Sequence, residues 1–141
     1  MDVDGTLTDG KIYMGSDGEV MKAFSIKDGC GIHDILIPNK IGRSSKIVEN
    51  RCKELGITKL YQGISNKKEK LLNITTNYKE VAYIGDDIND LSCMKLIKEA
   101  GGLIGCPNDA VKEIKTIADI EALPEGTRAE LIDGRLFLDT A

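Results

Sequence analysis

Met1-Asp2-Val3-Asp4-Gly5-Thr6-Leu7-Thr8-Asp9-Gly10 opens the chain, with two carboxylates at i and i+2 ahead of a Gly-Thr turn. Alternate residues of a strand share a face, so Asp2 and Asp4 are predicted to project together from a strand end. Gly5 lets the backbone turn away sharply behind them. Like charges that close repel, and a cation between them or a shared proton relieves the repulsion. Further on, Val81-Ala82-Tyr83-Ile84-Gly85-Asp86-Asp87 is a second apolar run that ends in acids. Two strands ending in carboxylates predict a hard-cation site, most naturally for Mg2+. An acid-rich surface turn is the plainer alternative for the first stretch taken alone. A calcium loop is excluded, because its obligatory Gly and Glu positions, counted from Asp2, hold Leu7 and Tyr13.

The surrounding composition narrows the setting. A chain of 141 residues is one domain's length and buries a real core. Its net charge is −4, and the Lys67, Lys68 and Lys70 cluster is broken by Glu69, so nucleic-acid binding is not favoured. No apolar run reaches bilayer length and no signal segment opens the chain, which argues against a membrane partner. Cys30, Cys52, Cys93 and Cys106 are widely spaced without a CxxC, and His33 stands outside any metal-ligand spacing. Reduced thiols in a cytoplasmic protein are the simplest account of that pattern.

Lys11–Gly15 and Glu19–Phe24 flank a Gly15-Ser16-Asp17-Gly18 turn and predict a β-hairpin. Its arms carry apolar side chains on both faces, so the hairpin is expected to pack on something, such as another subunit. Ser44 or Ser45 caps a helix running to Leu55, with Val48, Cys52 and Leu55 on one face and Gly56 as the stop. Asn66 followed by Glu69 predicts the start of a helix carrying Leu71 and Leu72. Val81–Ile84 reads as a buried strand. Asn89 onward reads as a helix with Leu91, Met94 and Ile97, ending at Gly101-Gly102. Leu103–Cys106 follows as a strand, Pro107-Asn108 as the start of a further helix, and Thr116–Ala118 as a last strand. Alternating strands and helices predict an α/β fold: a Rossmann-like parallel sheet with helices on both faces, plus the β-hairpin. Ligands bind such sheets at the carboxyl ends of the strands, where both acidic clusters fall.

Phosphoryl transfer needs a nucleophile, a metal, a proton donor and a cationic clamp. Asp2 suits the nucleophile, and Asp4 suits the acid that protonates the leaving oxygen and later activates water. Lys67, at a helix start, is placed to pair with phosphate and with Asp2. Asp86, helped by Asp87 or Asp90, completes a metal site. Blander readings stand beside these. Lys67 taken alone reads as a solvated helix-start lysine, Arg43 as a surface residue, Asp87 and Asp90 as helix caps, and His33 as structural.

Four stretches carry a resemblance: DVDGTLTDG at 2–10, GRSSKIVENRCKELGI at 42–57, YQGISNKKEKL at 61–71 and VAYIGDDINDL at 81–91. In this order they resemble haloacid-dehalogenase-superfamily phosphatases. Within that superfamily they resemble the capless branch that contains 3-deoxy-D-manno-octulosonate 8-phosphate phosphatase. They also resemble its relative, the phosphatase domain attached to some N-acylneuraminate cytidylyltransferases. The resemblance runs from Asp2 to about Asp119. It implies a Mg2+ cofactor, Asp2 as nucleophile, Asp4 as acid/base, Lys67 as the phosphate-binding lysine and Asp86 as a metal ligand. It implies metal contact at Asp4 through the backbone carbonyl, and phosphate or substrate contacts at Gly5, Thr6, Gly42 and Arg43. The implied substrate is a sugar-acid phosphate of lipopolysaccharide biosynthesis, 3-deoxy-D-manno-octulosonate 8-phosphate, with N-acylneuraminate 9-phosphate as the alternative. The implied assembly is a homotetramer formed through the 11–24 hairpin.

Three departures from the family pattern shape the remaining expectations. Met1 stands immediately before Asp2, which predicts a first strand without its beginning and either an upstream start codon or a truncated gene model. Ile41 stands where the family places a phosphate-binding hydroxyl, and Pro38-Asn39 leaves no room for a strand of the usual length before it. The end of the chain, from Ile120 to Asp139, resembles the opening segment of the Uma2-like, restriction-endonuclease-fold family, without any nuclease motif. A phosphatase domain at 1–120 and a divergent tail at 121–141, the remnant of a fused or mispredicted reading frame, is the expected organisation, with a short terminal hairpin turning at Asp133-Gly134 as the plainer alternative. A catalytically impaired phosphatase remnant is the second reading of the same departures.

Overall fold

The structure, a computed structural model, describes residues 1–26, 28–29, 32, 40–42, 44–122, 127–132 and 135–140. Strands β1 (Tyr13–Gly15) and β2 (Gly18–Met21) pair antiparallel, with Gly15 opposite Gly18, as the turn chemistry predicts. A bridge between Thr8 and Phe24 carries this hairpin back to the opening loop. Strand β3 (Lys40–Gly42) lies parallel to β4 (Leu60–Gln62). A second parallel sheet has the order β5 (Ala82–Ile84), β6 (Leu103–Cys106), β7 (Ile120–Glu121). Strands β8 (Thr127–Ile132) and β9 (Arg135–Thr140) form a terminal antiparallel hairpin, with Ile132 opposite Arg135.

Helix α1 (Lys46–Glu54) starts at Ser45, whose hydroxyl accepts from the Val48 amide at 3.4 Å. Val48 and Cys52, four apart on one face, are buried and meet Val3 and Ile57 in one apolar cluster. Helix α2 (Lys67–Ile74) starts at Asn66, whose side chain accepts from the Glu69 amide at 3.1 Å. Helices α3 (Leu91–Glu99) and α4 (Lys112–Ile117) cover the second sheet. There Met94, Ile97, Ile104 and Ile114 are wholly buried with Tyr83, Cys93 and Cys106. Each such aliphatic burial stabilises the fold by roughly 1.5–3 kcal/mol. Among the described residues no helix is long and apolar enough to cross a membrane.

Several local expectations are corrected. Residues 1–3 form no strand. The Asp2 amide makes one ladder-like hydrogen bond, to the Ile84 carbonyl at 2.9 Å, and the Val3 carbonyl then takes the amides of Leu7 and Thr8 at 2.8 and 3.1 Å. The chain therefore turns at once, before a second rung can form. Strand β5 is buried on one face only: Tyr83 is inside, while Ala82 and Ile84 are exposed. No helix starts at Pro107-Asn108. A turn closes there from the Ala110 amide to the Pro107 carbonyl, the next amide, Val111, goes to the Asp86 carbonyl, and α4 begins after it. Thr116 and Ile117 are the end of α4, where the Thr116 hydroxyl bonds back to the Lys112 carbonyl. The last strand of the sheet is Ile120–Glu121. The Lys40–Gly42 strand exists, three residues long, behind a segment at 33–39 that lies outside the described residues.

Candidate active site

Lys67 is the first residue of α2, and its side chain shares a helix face with the buried Leu71 four residues on. That face turns the lysine inward, to 9% exposure. Its ammonium donates to Asp2 Oδ1 at 2.7 Å, to Asp90 Oδ1 at 2.8 Å and to Asn89 Oδ1 at 3.4 Å. Burial works against the charged ammonium, but the hydrogen bonds and charges of Asp2 and Asp90 outweigh it and raise the Lys67 pKa. Lys67 is thus a buried cation between acids, not a solvated helix-start lysine.

Asp90 is fully buried and more than a helix cap. Its Oδ1 accepts from Lys67 and, at 2.8 Å, from the Tyr83 hydroxyl. Its Oδ2 accepts the amides of Asp86 and Asp87 at 3.2 and 3.3 Å. The Gly85–Asp87 loop wraps this carboxylate so closely that a Cβ on Gly85 would lie 2.5 Å from Asp90 Cγ. Asp87 caps the short 3-10 turn Ile88–Asp90 through the Ile88 amide. Burial, and then the negative charge of Asp90, hold the Tyr83 phenol protonated, its pKa raised well above the usual range.

Asp86 leaves the end of β5 beside Asp2. Its Oδ1 accepts from the Thr6 hydroxyl at 3.3 Å, and its carbonyl from the Val111 amide at 2.9 Å. Gly5 passes so near that a Cβ would fall 2.0 Å from Asp86 Oδ2, and its φ of +83° is itself a glycine conformation. Burial, then the hydrogen bond and charge of Asp2, then the charge of Asp90, push Asp86 up to about 7. Oxygens of Asp2, Asp86 and Asp90 lie within 4.8 Å of one another. Asp90 spends both oxygens on four donors, which leaves Asp2 and Asp86 as the pair with coordinating capacity to spare. Three clustered carboxylates, all offering hard oxygen donors, fit a divalent cation such as Mg2+.

Asp4 does not share a strand face with Asp2. The turn at Val3 sends the Asp4 carboxylate to the hairpin, where Lys22 meets it at 2.5 Å. Lys22 is also 2.8 Å from Glu19, and Glu19 accepts from the Ser45 hydroxyl at 2.8 Å. Asp2 and Asp4 nonetheless line one cavity of about 340 Å3 together with Lys67, Asp87, Ser44 and Ser65. Gly42 ends β3. Arg43, His33 and Cys30 lie outside the described residues. The sequence reading missed Lys22, Glu19 and Tyr83. Strand lysines and acids look like solvated edge residues, and only the contact across 18 positions from Lys22 to Asp4 reveals otherwise.

Comparison with known proteins bears on this arrangement. No protein-family model matches the chain. It is similar to the 3-deoxy-D-manno-octulosonate 8-phosphate phosphatase KdsC of Escherichia coli K12, 46% identical over 106 residues, covering 69% of this chain and 56% of the relative. Among solved structures it is similar to the Moraxella catarrhalis phosphatase of that name in complex with magnesium, phosphate and KDO. That likeness has a TM-score of 0.74 at 34% identity, over 86% of this chain and 73% of the other. The cobalt-bound Haemophilus influenzae phosphatase gives a TM-score of 0.74 at 31% identity, over 85% and 73% of the two chains. By fold and sequence the chain is placed in the haloacid-dehalogenase superfamily, and within it the chain belongs to the KdsC-like phosphatase family. The chain spans about 56% of the length of these curated relatives.

Proposed function

We propose that this chain is a Mg2+-dependent phosphatase that hydrolyses 3-deoxy-D-manno-octulosonate 8-phosphate through a phosphorylated Asp2. The observation that carries this reading is the ammonium of Lys67 seated between Asp2 and Asp90, with Asp86 alongside. The magnesium, phosphate and KDO held by the Moraxella catarrhalis relative support the substrate class and the metal. Asp2 and Asp86 would hold the ion, with the Asp4 backbone carbonyl, and when bound it neutralises charge on the phosphoryl oxygens.

An Asp2 carboxylate oxygen attacks phosphorus while the ester P–O bond breaks, and the leaving alcohol oxygen takes a proton from Asp4. Water then attacks phosphorus and gives its proton to Asp4. The bond from phosphorus to Asp2 breaks, inorganic phosphate leaves, and both carboxyl groups return to their starting states. Lys67 holds Asp2 oriented and offsets negative charge on the transferring group. Thr6, bonded to Asp86, and Gly5 keep the metal-side acid in place. The catalytic unit in this reading is residues 1–120, in a cytoplasmic setting, and the 121–141 tail takes no part in the chemistry. The exposed Ile12, Met14, Val20 and Met21 of the hairpin support a homotetramer built through that element.

The test is phosphate release from 3-deoxy-D-manno-octulosonate 8-phosphate with and without Mg2+. Asp2→Asn is expected to lower it by about 1,000-fold or more, and activity that survives Asp2→Asn or needs no divalent ion sinks the mechanism. A catalytically impaired remnant is the second reading, favoured by the single backbone hydrogen bond that ties Asp2 to β5. A wild-type chain that neither turns over substrate nor gains heat stability from Mg2+ with a fluoride phosphate mimic decides for the remnant.

A further inference from the structure

Lys22 belongs to a hairpin whose neighbouring side chains, Val20 and Met21, are 61% and 55% exposed, yet its own side chain is only 4% exposed. A lysine buried on a surface hairpin loses rotamer freedom and hydration, and both oppose folding. Two carboxylates offset that cost: Asp4 Oδ1 at 2.5 Å and Glu19 Oε1 at 2.8 Å. Glu19 is itself fixed by the Ser45 hydroxyl, and the Ser45 amide donates to Gln62 Oε1 at 2.7 Å. An unbroken polar chain therefore runs from Asp4 through Lys22, Glu19 and Ser45 to the end of β4. With one ammonium between two acids, Lys22 has no spare charge for an anionic substrate. What it does have is a fixed grip on one oxygen of the half-exposed Asp4 carboxylate.

We propose that Lys22 is a positioning residue for the reaction, holding the Asp4 carboxyl in the one orientation from which it meets the leaving-group oxygen. The proposal rests on the phosphatase reading above. Proton transfer at Asp4 matters most when the leaving group is a strongly basic alkoxide, as in a sugar-acid phosphate. A p-nitrophenolate leaves without a proton, so phosphorylation of Asp2 by p-nitrophenyl phosphate is insensitive to where Asp4 points. The second step, attack by water, needs Asp4 with either substrate.

The experiment compares Lys22→Met with the wild-type full chain in Mg2+ on both esters. Misplacing an acid/base group is expected to lower kcat for the sugar-acid phosphate about 100-fold, with KM changed less than about twofold. On p-nitrophenyl phosphate the variant should keep a first-turnover burst of nitrophenol and then turn over slowly, and Lys22→Arg should recover part of the alkyl-ester rate. Equal loss of burst and turnover on both esters overturns the proposal, as does an alkyl-ester rate at the wild-type level. Asp4→Asn separates the two claims. If it hydrolyses the alkyl ester normally, the assignment of Asp4 fails. If it is inactive while Lys22→Met is normal, only the assignment of Lys22 fails. Glu19→Gln, which leaves the Lys22–Asp4 pair in place but loosens it, should give an intermediate alkyl-ester rate and carries the test if Lys22→Met does not fold. Independently of turnover, the unfolding midpoints of Asp4→Asn, Lys22→Met and the double variant should be non-additive. Strict additivity overturns the contact.

Discussion

Two lysines hold the two acids of the opening motif, and they do so in different surroundings. Lys67 sits between Asp2 and Asp90, whose side chains are 8% and 0% exposed and which come from the opening segment and the turn after β5. Lys22 sits between Asp4 and Glu19, which are 30% and 25% exposed, on a hairpin outside both apolar clusters. Water reaches the acids of the second pair more freely than those of the first. The proposed nucleophile is held from the core, while its proposed acid/base partner is held from the hairpin.

That contrast is easiest to break by removing each ammonium. Lys67→Met strands Asp2 and Asp90 without their cation and should cost about 3–5 kcal/mol in urea unfolding. A loss as small as that of a surface substitution means the cluster relaxes or hydrates. Gly5→Ala drives a methyl group into Asp86 and forbids the local backbone. We expect a loss of about 1–3 kcal/mol, and no rise in Tm on adding Mg2+. Tyr83→Phe removes one of four donors from a fully buried carboxylate and should cost about 1–2 kcal/mol, read in the same unfolding assay. Lys22→Met exposes acids that rehydrate, so it should cost about 1 kcal/mol or less despite the depth of the lysine. A penalty equal to that of Lys67→Met would erase the distinction between the two sites.

The finest test uses pH. Asp86 is raised to about 7, so between its ordinary carboxyl range and that value the metal-free native state holds a proton the unfolded chain has released. Stability contributed by this group therefore falls as pH rises towards 7. Asp86→Asn should flatten that fall. In the unmodified protein the Tm gain from Mg2+ should grow from pH 5.5 to pH 8, because cation and proton compete for one carboxylate. A Mg2+ effect that is constant over this range, measured by thermal unfolding, argues that Asp86 does not hold the ion.

Much of this molecule is legible from its residues where local chemistry decides. Gly15-Ser16-Asp17-Gly18 specifies its hairpin, Ser45 and Asn66 specify two helix starts, and the helix start at Asn66 with the opening acids points to the pairing of Lys67 with Asp2. Legibility fails where a backbone group is spent far away. The amide of Val111 goes to the Asp86 carbonyl, so the helix that Pro107-Asn108 invites begins late, and the strand expected at Thr116–Ala118 is displaced to Ile120. Asp90 resembles an ordinary cap because its other role depends on a tyrosine seven residues back and a lysine on another helix. The split fates of Asp2 and Asp4 follow from the turn at Val3, which strand periodicity does not anticipate.

Residues 2 and 3 also face two ways. The Asp2 amide belongs to the sheet of β5, β6 and β7, while the Val3 side chain belongs to the apolar cluster under α1. The proposed nucleophile is thus built into the joint between the two halves of the molecule. Whatever binds at its carboxylate pulls on that joint, so occupancy of the site should appear as slower hydrogen exchange at one amide, that of Asp2. Affinity then becomes measurable as a property of a seam in the fold, without detecting any product.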